Sequence, residues 1–456
     1  MTPPRRRPAP GASSGPSPAR EVAVRVLERV EADASFADLA LEAELRARGP
    51  SSRDAALATE LVFGTLRWQR YLDWILAPHS RRRLETLDAR VRVILRVTAY
   101  QIALLDRVPS FAAVNDAVTL APPTPAVKPF VNAVLRSFAR RAPREREPAA
   151  PRDPVDALAT RCSFPTWLAA RWVARFGREE AEALMRASNE RPPLTLRANA
   201  LRTDRDALAR RLAAEEGLVG RPTRHAPEGL VVGPGGAPAS WRAFGDGSFA
   251  VQDEASMLVA RLLAPEPGTT IADVCAAPGT KTTHIAELMA DRGRILAFDR
   301  EPERLARVRE AAARLGITII DAREGAVDAL APGFRDACDA VLVDAPCSNL
   351  GVLRRNPEVK WRRQPSDLGL ASRQQSEILA AAATMVKPGG RLVYATCSLE
   401  PEENETVVSA FLQARPEFAI AAPDKFPLPL EADGWLRCRP DRHGTDGFAA
   451  VRFHRS

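Results

Sequence analysis

The 456-residue sequence predicts a multidomain chain of mixed class: an all-helical N-terminal domain, a small α+β subdomain, and an α/β domain built on a doubly wound, mostly parallel sheet. Three patterns predict this. From Arg20 to about Arg141 apolar residues recur every three and four positions, as in EVAVRVLERV and LDARVRVILRVTAYQIALL, the period of amphipathic helices. Residues 155–250 mix a helical stretch, expected over Phe164–Ala187, with short alternating runs such as PLTLRAN and GLVVG. From Thr269 onward strand-like segments (TIADVCA, RILAFD, ITIID, AVLVDA, RLVYATC) alternate with helical ones, the rhythm of a parallel sheet with crossover helices.

In chain order, residues 1–19 are rich in Pro, Ser and Arg and lack the apolar middle of a secretory signal, so a disordered basic tail is expected there. The helical domain is placed at 20–141. A Pro-rich, charged linker, APREREPAAPRDP, covers 142–154. The α+β subdomain follows at 155–250 and the α/β domain at 251–456. Charge is unevenly spread: residues 1–150 hold 24 Lys+Arg against 16 Asp+Glu, whereas the remainder holds 41 of each. An excess confined to the front third fits a polyanionic partner such as nucleic acid, and equally fits an arginine-rich solvated surface. Six cysteines without paired spacing or a His-rich cluster point away from a disulfide framework and from a metal site. A soluble, cytoplasmic, monomeric protein with no membrane segment is expected.

Three stretches carry chemistry. In DVCAAPGTKTTH, Asp273 to His284, an apolar strand breaks at Pro278 and Gly279 into a helix; the glycine admits a ligand close to the backbone, and the helix start offers N–H groups. Asp299 ends the next strand, where a carboxylate can accept both ribose hydroxyls of a nucleoside; capping the following helix is its plainer role. Asp321 ends the third strand as read, at the border of an adenine pocket. The chain has no phosphate-binding G-x-x-x-x-G-K-[ST] loop, and Pro278 stands where a dinucleotide fold wants a glycine. A nucleoside cofactor without pyrophosphate fits better, with S-adenosylmethionine the obvious candidate.

The second and third stretches are VLVDAPCSNLGVLRRNPEVKW, Val341 to Trp361, and YATCS, from Tyr394. Each puts a cysteine, Cys347 or Cys397, just past the carboxyl end of a strand, where open α/β sheets hold ligands. One unpaired cysteine is commonly a small buried hydrophobe. Two facing one crevice suit a pyrimidine C5 as methyl acceptor, because that carbon becomes nucleophilic only after a thiolate adds at C6. Asp344 can then bond the polar edge of the cytosine, and the second cysteine can assist proton removal and release. The base must leave any helical stack.

These residues resemble the bacterial small-subunit ribosomal RNA cytosine-5 methyltransferase B family, of the Sun/Fmu type. The resemblance runs from Arg20 almost to the C-terminus and includes NERPPLTLRAN, FAVQDEAS and GVLRRNPEVKW. It implies a Rossmann-like class I methyltransferase domain and S-adenosylmethionine bound by Cys275, Ala276, Ala277, Pro278, Gly279, Thr280 and Lys281, with Asp299, Asp321 and Asp344. It also implies Cys397 as nucleophile and Cys347 as the residue that helps release product. The front, with ATELVFGTLRWQRYLDWIL, AAVNDAVTLA and VNAVLRSFAR, is similar to the NusB-like RNA-binding domain, which implies small-subunit ribosomal RNA as partner. Arg354, Arg355 and Lys360, directly after the Pro-Cys motif, are expected on substrate phosphates. Trp68, Tyr71 and Trp74, three residues apart, read as helix core rather than stacking groups.

Two departures stand out: Thr280 replaces the family's usual second glycine, and Ile320 its glycine before the aspartate. Two other readings remain at this level. One keeps the chemistry on transfer RNA or large-subunit RNA. The other is a non-catalytic RNA-binding or ribosome assembly factor, which need bind no S-adenosylmethionine.

Overall fold

The computed structural model describes residues 15–33, 35–106, 108–142, 145–233 and 235–456. Most of the expected N-terminal tail (1–14) and residues 143–144 of the expected linker lie outside them. The chain forms two compact units, one through Arg178 together with Asn356–Glu358, the other Glu179–Arg355 with Val359–Ser456.

The first unit is helical among its described residues. Helices run over Pro18–Ala32, Ala37–Arg48, Ser52–Arg67, Gln69–Leu76, Ala89–Leu104, Ser110–Leu120 and Val127–Arg140, followed by Pro154–Arg161 and Thr166–Phe176. The apolar faces of the first seven converge on one core that includes Val26, Leu61, Leu72, Ile75, Leu95, Leu135 and Phe138. Ser51 and Asp88 cap two of the helices by accepting the N–H groups of Asp54 and Arg90. Trp68, Tyr71 and Trp74 pack against this core as partly buried rings. Helices 154–161 and 166–176 belong to this unit because Arg70 gathers them: its guanidinium donates to the Phe164 carbonyl, to Thr166 Oγ1 and to Asp156. The helix expected over Phe164–Ala187 is two helices, Thr166–Phe176 and Arg178–Ser188, parted by Gly177 at φ +79°. Left-handed backbone there ends the first helix.

The second unit contains two sheets. Strands β1 (Leu194–Ala198), β2 (Gly220–Pro222), β3 (Gly229–Val232) and β4 (Phe249–Val251) form an antiparallel sheet in the order β2-β3-β1-β4. The larger sheet holds β5 (Thr270–Asp273), β6 (Arg294–Asp299), β7 (Ile320–Glu324), β8 (Cys338–Asp344), β9 (Val386–Thr396), β10 (Phe418–Ile420), β11 (Leu436–Cys438) and β12 (Phe448–Arg455). Its order is β10-β12-β9-β8-β5-β6-β7, with β11 added beside β12. Strands β5 to β9 pair in parallel, and β12 closes antiparallel on β9. The order reverses between β5 and β8, which opens a crevice at their carboxyl ends. Both faces of the sheet are covered, so β5, β6 and β8 are almost continuously buried and apolar, as the sequence runs suggest.

One strand differs from its sequence reading. The run ITIID looks like a strand, yet pairing begins only at Ile320 and continues to Glu324. Gly316 ends the preceding helix in a left-handed turn, and the N–H groups of Thr318 and Ile319 are taken by the Asp291 carboxylate. Asp321 therefore sits near the amino end of β7, opposite Leu296, not at the carboxyl end.

Among the described residues no helix is long and apolar enough to cross a membrane, and no group of three or more His, Cys, Asp or Glu is placed to hold a metal ion.

Candidate active site

At the carboxyl ends of the parallel strands lies a cavity of about 390 Å³, whose walls include Cys275, Ala277, Lys281, Asp299, Asp344, Cys347 and Cys397. Its floor is the turn after β5. Gly279 has φ +100°, and a Cβ there would come within 3.1 Å of Val308 Cα, so both conformation and space demand glycine. Lys281 and Thr282 follow in the first turn of the helix Thr280–Leu288. That helix is held by β1 of the smaller sheet. Arg197, fully buried, grips Glu287 with Nε at 2.9 Å and Nη2 at 2.7 Å, and donates to the Thr280 carbonyl at 2.7 Å. The subdomain thus braces the ligand loop.

The expected cofactor stretch divides. Cys275, Ala277 and Lys281 line the cavity. Ala276 packs beneath it with Ala297, Leu305 and Val308. Pro278, Gly279 and Thr280 border a separate apolar cavity of about 460 Å³ with Phe244 and Arg314. Thr280 in place of glycine is thereby accommodated away from the cavity that holds the cysteines.

Asp299 closes β6 and serves both roles weighed for it: it lines the cavity, and its carboxylate accepts the N–H groups of Ala277 at 3.2 Å and Glu301 at 3.1 Å. Asp321 is a correction. It is outside the cavity lining and is paired with Arg294 at 2.6 Å and Arg323 at 2.9 Å, which hold its carboxyl below the usual range. At the carboxyl end of β7 the cavity instead meets Gly325, Ala326 and Val327.

Asp344 ends β8 and accepts a 2.8 Å bond from Lys281 Nζ, which also lies 5.0 Å above the Phe448 ring. Burial opposes the Lys281 charge, but Asp344, with help from Cys397, outweighs it and raises the ammonium's pKa. Lys281 is therefore a fixed cation beside both the carboxylate and the Cys397 sulfur. Asp273, at the end of β5, is fully buried, takes one hydrogen bond from Thr282, and is pushed up to about 7 chiefly by desolvation.

The two cysteines of the strand-end motifs meet. Their sulfurs are 2.9 Å apart although 50 residues separate them in sequence. Asn349 Oδ1 accepts from Cys397 Sγ at 2.8 Å and lies 3.6 Å from Cys347 Sγ. Asn349 has φ +63°, a left-handed position that asparagine tolerates better than most side chains. The hydrogen bond with Cys397, followed by burial, raises the Cys347 pKa well above that of a free thiol. Cys347 therefore keeps its proton. Cys275, third in the cavity, is also raised, by burial and three nearby aspartates. Cys162, Cys338 and Cys438 are buried elsewhere.

The sequence reading missed what holds this pair. Glu403 has no solvent exposure, and its carboxylate accepts from Ser348 N at 2.7 Å, Ser348 Oγ at 2.5 Å, Ser398 Oγ, and Gln375 Nε2 at 3.1 Å. Ser348 directly follows Cys347 and Ser398 directly follows Cys397, so one carboxylate ties both cysteine loops. Asn404 adds a brace, accepting from Thr396 Oγ1 at 2.7 Å and donating to the carbonyls of Ser398 and Glu400. A backbone stitch completes the frame: Gly351 N donates to the Cys397 carbonyl and Gly447 N to the Gly351 carbonyl. The signal was present in YATCSLEPEEN, whose acidic run begins at Glu400, three residues after the cysteine.

The basic loop is a second correction. Arg354, with 4% side-chain exposure, pairs with Asp446 at 3.2 Å, and Arg355 pairs with both Asp446 and Asp253. Lys360 is 1% exposed and donates to Asn189 Oδ1 at 2.8 Å. These cations act as struts, because carboxylates remote in sequence neutralise Arg354 and Arg355 and the Asn189 amide holds Lys360.

Residues 260–454 match the family model for 16S rRNA methyltransferase RsmB/F, residues 17–140 that for the NusB family, and residues 164–235 the RsmF/B-like ferredoxin-like domain. A probable ribosomal RNA small subunit methyltransferase B of Bacillus subtilis is 37% identical, over 94% of this chain and 97% of its own length. Ribosomal RNA small subunit methyltransferase B of Pseudomonas putida is 37% identical over 80% of this chain and 82% of its own. Among solved structures, the crystal structure of PH0851 superposes with a TM-score of 0.81 at 27% identity, covering 95% of this chain and 98% of that one. NSun6 from Pyrococcus horikoshii, solved with SFG, gives 0.58 at 25% identity, covering 64% and 98%. With a NusB-type helical domain, a ferredoxin-like domain and a Rossmann-like methyltransferase domain in one chain, this protein belongs to the 16S rRNA methyltransferase RsmB/F family.

Proposed function

We propose that this protein transfers a methyl group from S-adenosylmethionine to C5 of a cytosine in small-subunit ribosomal RNA, through a transient bond between Cys397 and C6. The observation that carries this reading is the pair of thiols 2.9 Å apart in the cavity that also contains Asp299 and the turn after β5. A methyl acceptor that is already nucleophilic needs no thiol; a pyrimidine C5 does.

The residues present fit the cofactor. Asp299 offers a carboxylate for ribose hydroxyls, the Cys275–Ala277 turn gives a close backbone wall, and Gly325–Val327 bound the far side. With Asp321 elsewhere, an adenine ring would meet backbone rather than carboxylate at the end of β7. SFG, an analogue of S-adenosylmethionine, accompanies the related NSun6 structure and supports the same assignment. S-adenosylmethionine supplies the methyl group as a sulfonium substituent.

The remaining chemistry belongs to the chain. Cys397 gives up its proton to solvent, the nearby Lys281 ammonium favouring the thiolate, and its sulfur bonds C6. The electron pair freed at C5 then takes the methyl group, and the pair of the broken S–CH3 bond would stay on the cofactor's sulfur as a neutral thioether. The C5 proton passes to a water molecule, its bonding electrons re-form the C5–C6 double bond, and the C6–S bond breaks with its pair returning to the Cys397 sulfur. Cys347 is assigned a part in release, hydrogen-bonding the departing sulfur beside it with the proton it retains. Asp344, steadied by Lys281, orients the polar edge of the base. The helical domain is assigned to hold the RNA, and such a substrate places the protein in the cytoplasm.

The test combines purified protein, methyl-labelled S-adenosylmethionine and small-subunit RNA. Wild type is expected to label cytosine C5, and Cys397→Ala to label nothing. Label at a nitrogen or ribose oxygen would overturn the reading, as would undiminished activity without Cys397.

A further inference from the structure

If Arg354, Arg355 and Lys360 are internal struts, the positive charge for a polyanion at this rim must come from elsewhere. A cleft of about 360 Å³ lies beside the same struts, lined by residues that include Arg221, Arg224, Thr223, Glu254, His443 and Thr445. Arg221 stands on β2, the edge strand of the smaller sheet, and Arg224 follows in the turn to β3. Both are exposed, and neither has an ion-pair partner among the described residues.

The acidic groups of the cleft are committed. Asp253 pairs with Arg355 at 2.9 Å and accepts the N–H groups of Ala255 and Asp446. Glu254 accepts the N–H groups of His225 and Ala226. His443 Nδ1 accepts the Arg439 N–H at 2.9 Å, which fixes the ring proton on Nε2 and makes that atom a donor. The cleft thus presents two uncommitted cations and a donor, with Asp253 paired to Arg355 and the Glu254 carboxylate engaged by backbone N–H groups. That balance suits a phosphodiester.

Its position is also informative. Thr445 lines the cleft and Phe448 lines the cysteine cavity. Three residues span at most about 11 Å, so the two openings lie within reach of neighbouring nucleotides on one strand. The intervening Gly447 is stitched to Gly351 of the Cys347 loop. Both openings therefore stand on one rigid frame.

We propose that this cleft binds the phosphodiester backbone of the RNA strand that delivers the target base, with Arg221 and Arg224 as its phosphate contacts. The proposal rests on the RNA substrate reading above and adds the path of the strand. The experiment uses the full chain, small-subunit RNA transcript, and the double variant Arg221→Gln/Arg224→Gln. Two single-strand phosphate contacts contribute about 1.4 to the slope of log affinity against log salt, so the variant's slope should be shallower by that amount. Its KM for RNA should rise by roughly ten-fold, while its KM for S-adenosylmethionine and its thermal midpoint stay at wild-type values. Arg221→Lys/Arg224→Lys keeps the point charges and should restore the slope. Arg292→Gln/Arg335→Gln, which removes two exposed charges before β6 and β8 at the opposite rim, should leave it unchanged. An unaltered slope and RNA KM in the Gln pair would overturn the cleft, as would an equal loss in the opposite-rim control. Should wild type bind RNA yet transfer no methyl group, the functional reading fails, and the slope comparison still decides the cleft.

Discussion

Glu403 is the group on which the spacing of the two sulfurs depends, and its replacement gives a sharp quantitative expectation. Four donors converge on a carboxylate with no solvent exposure. Each hydrogen bond to a charged acceptor is worth about 1.5–3 kcal/mol, but the four act as a unit and do not add. Glu403→Ala leaves the donors facing a void and should cost about 4 kcal/mol or more, in the range for breaking a buried charged network. Glu403→Gln keeps the shape but turns an NH2 toward groups that already donate, and should cost about 2–3 kcal/mol. The catalytic consequence is larger than the energetic one. The serines it grips adjoin both cysteines, and a shift of about 1 Å at the sulfurs costs on the order of 100-fold in rate. Urea unfolding gives the stability change, and single-turnover methyl transfer under conditions where the variant is folded gives the rate. A Glu403→Gln protein within about 0.5 kcal/mol of wild type and within about two-fold in rate would refute the claim that this carboxylate sets the geometry.

Two further perturbations probe the supports of the site. Asp446→Ala removes the carboxylate shared by Arg354 and Arg355 and should cost about 3–5 kcal/mol in urea unfolding; a loss under about 1 kcal/mol would mean the cluster behaves as a solvated surface network. Asp273 carries a folded-state pKa raised to about 7 from an ordinary 3.8, so the folded protein binds the extra proton between those values. Wild-type stability should therefore fall as pH rises from about 4 to 7, by on the order of 4 kcal/mol from this group. Asp273→Asn, which does not titrate, should lose that component; a variant whose stability tracks wild type across the interval would show that the carboxyl is not desolvated.

Much of the architecture was legible because it follows from local pattern. The apolar runs of β5, β6, β8 and β9 and the breaks after them place Cys347 and Cys397 at strand ends without any tertiary information. Asp299 was readable for the same reason. What could not be read depended on partners far along the chain. The ITIID run has every mark of a strand, but Asp291 takes its amide groups and shifts pairing toward Glu324, which moves Asp321 to the wrong end. The loop at Arg354 looks like a phosphate grip until Asp446 and Asp253, roughly a hundred residues away, are seen to neutralise it. Glu403 lay in plain view six residues after Cys397, yet an acidic residue at a helix start has an ordinary explanation in the helix dipole. Only its convergence with Ser348 and Gln375 reveals the other role.

The central claim is that Cys397, and not Cys347, forms the bond to the base. It is tested most directly by small-subunit RNA containing 5-fluorocytidine, in which fluorine replaces the C5 proton and the final elimination cannot proceed. With S-adenosylmethionine present, wild-type protein should yield a denaturation-resistant complex whose mass is that of chain plus RNA plus one methyl group, with peptide mapping placing the link at Cys397. Cys347→Ala should still form that complex, and Cys397→Ala should not. A link mapped to Cys347, or trapping by the Cys397→Ala protein, would contradict the account.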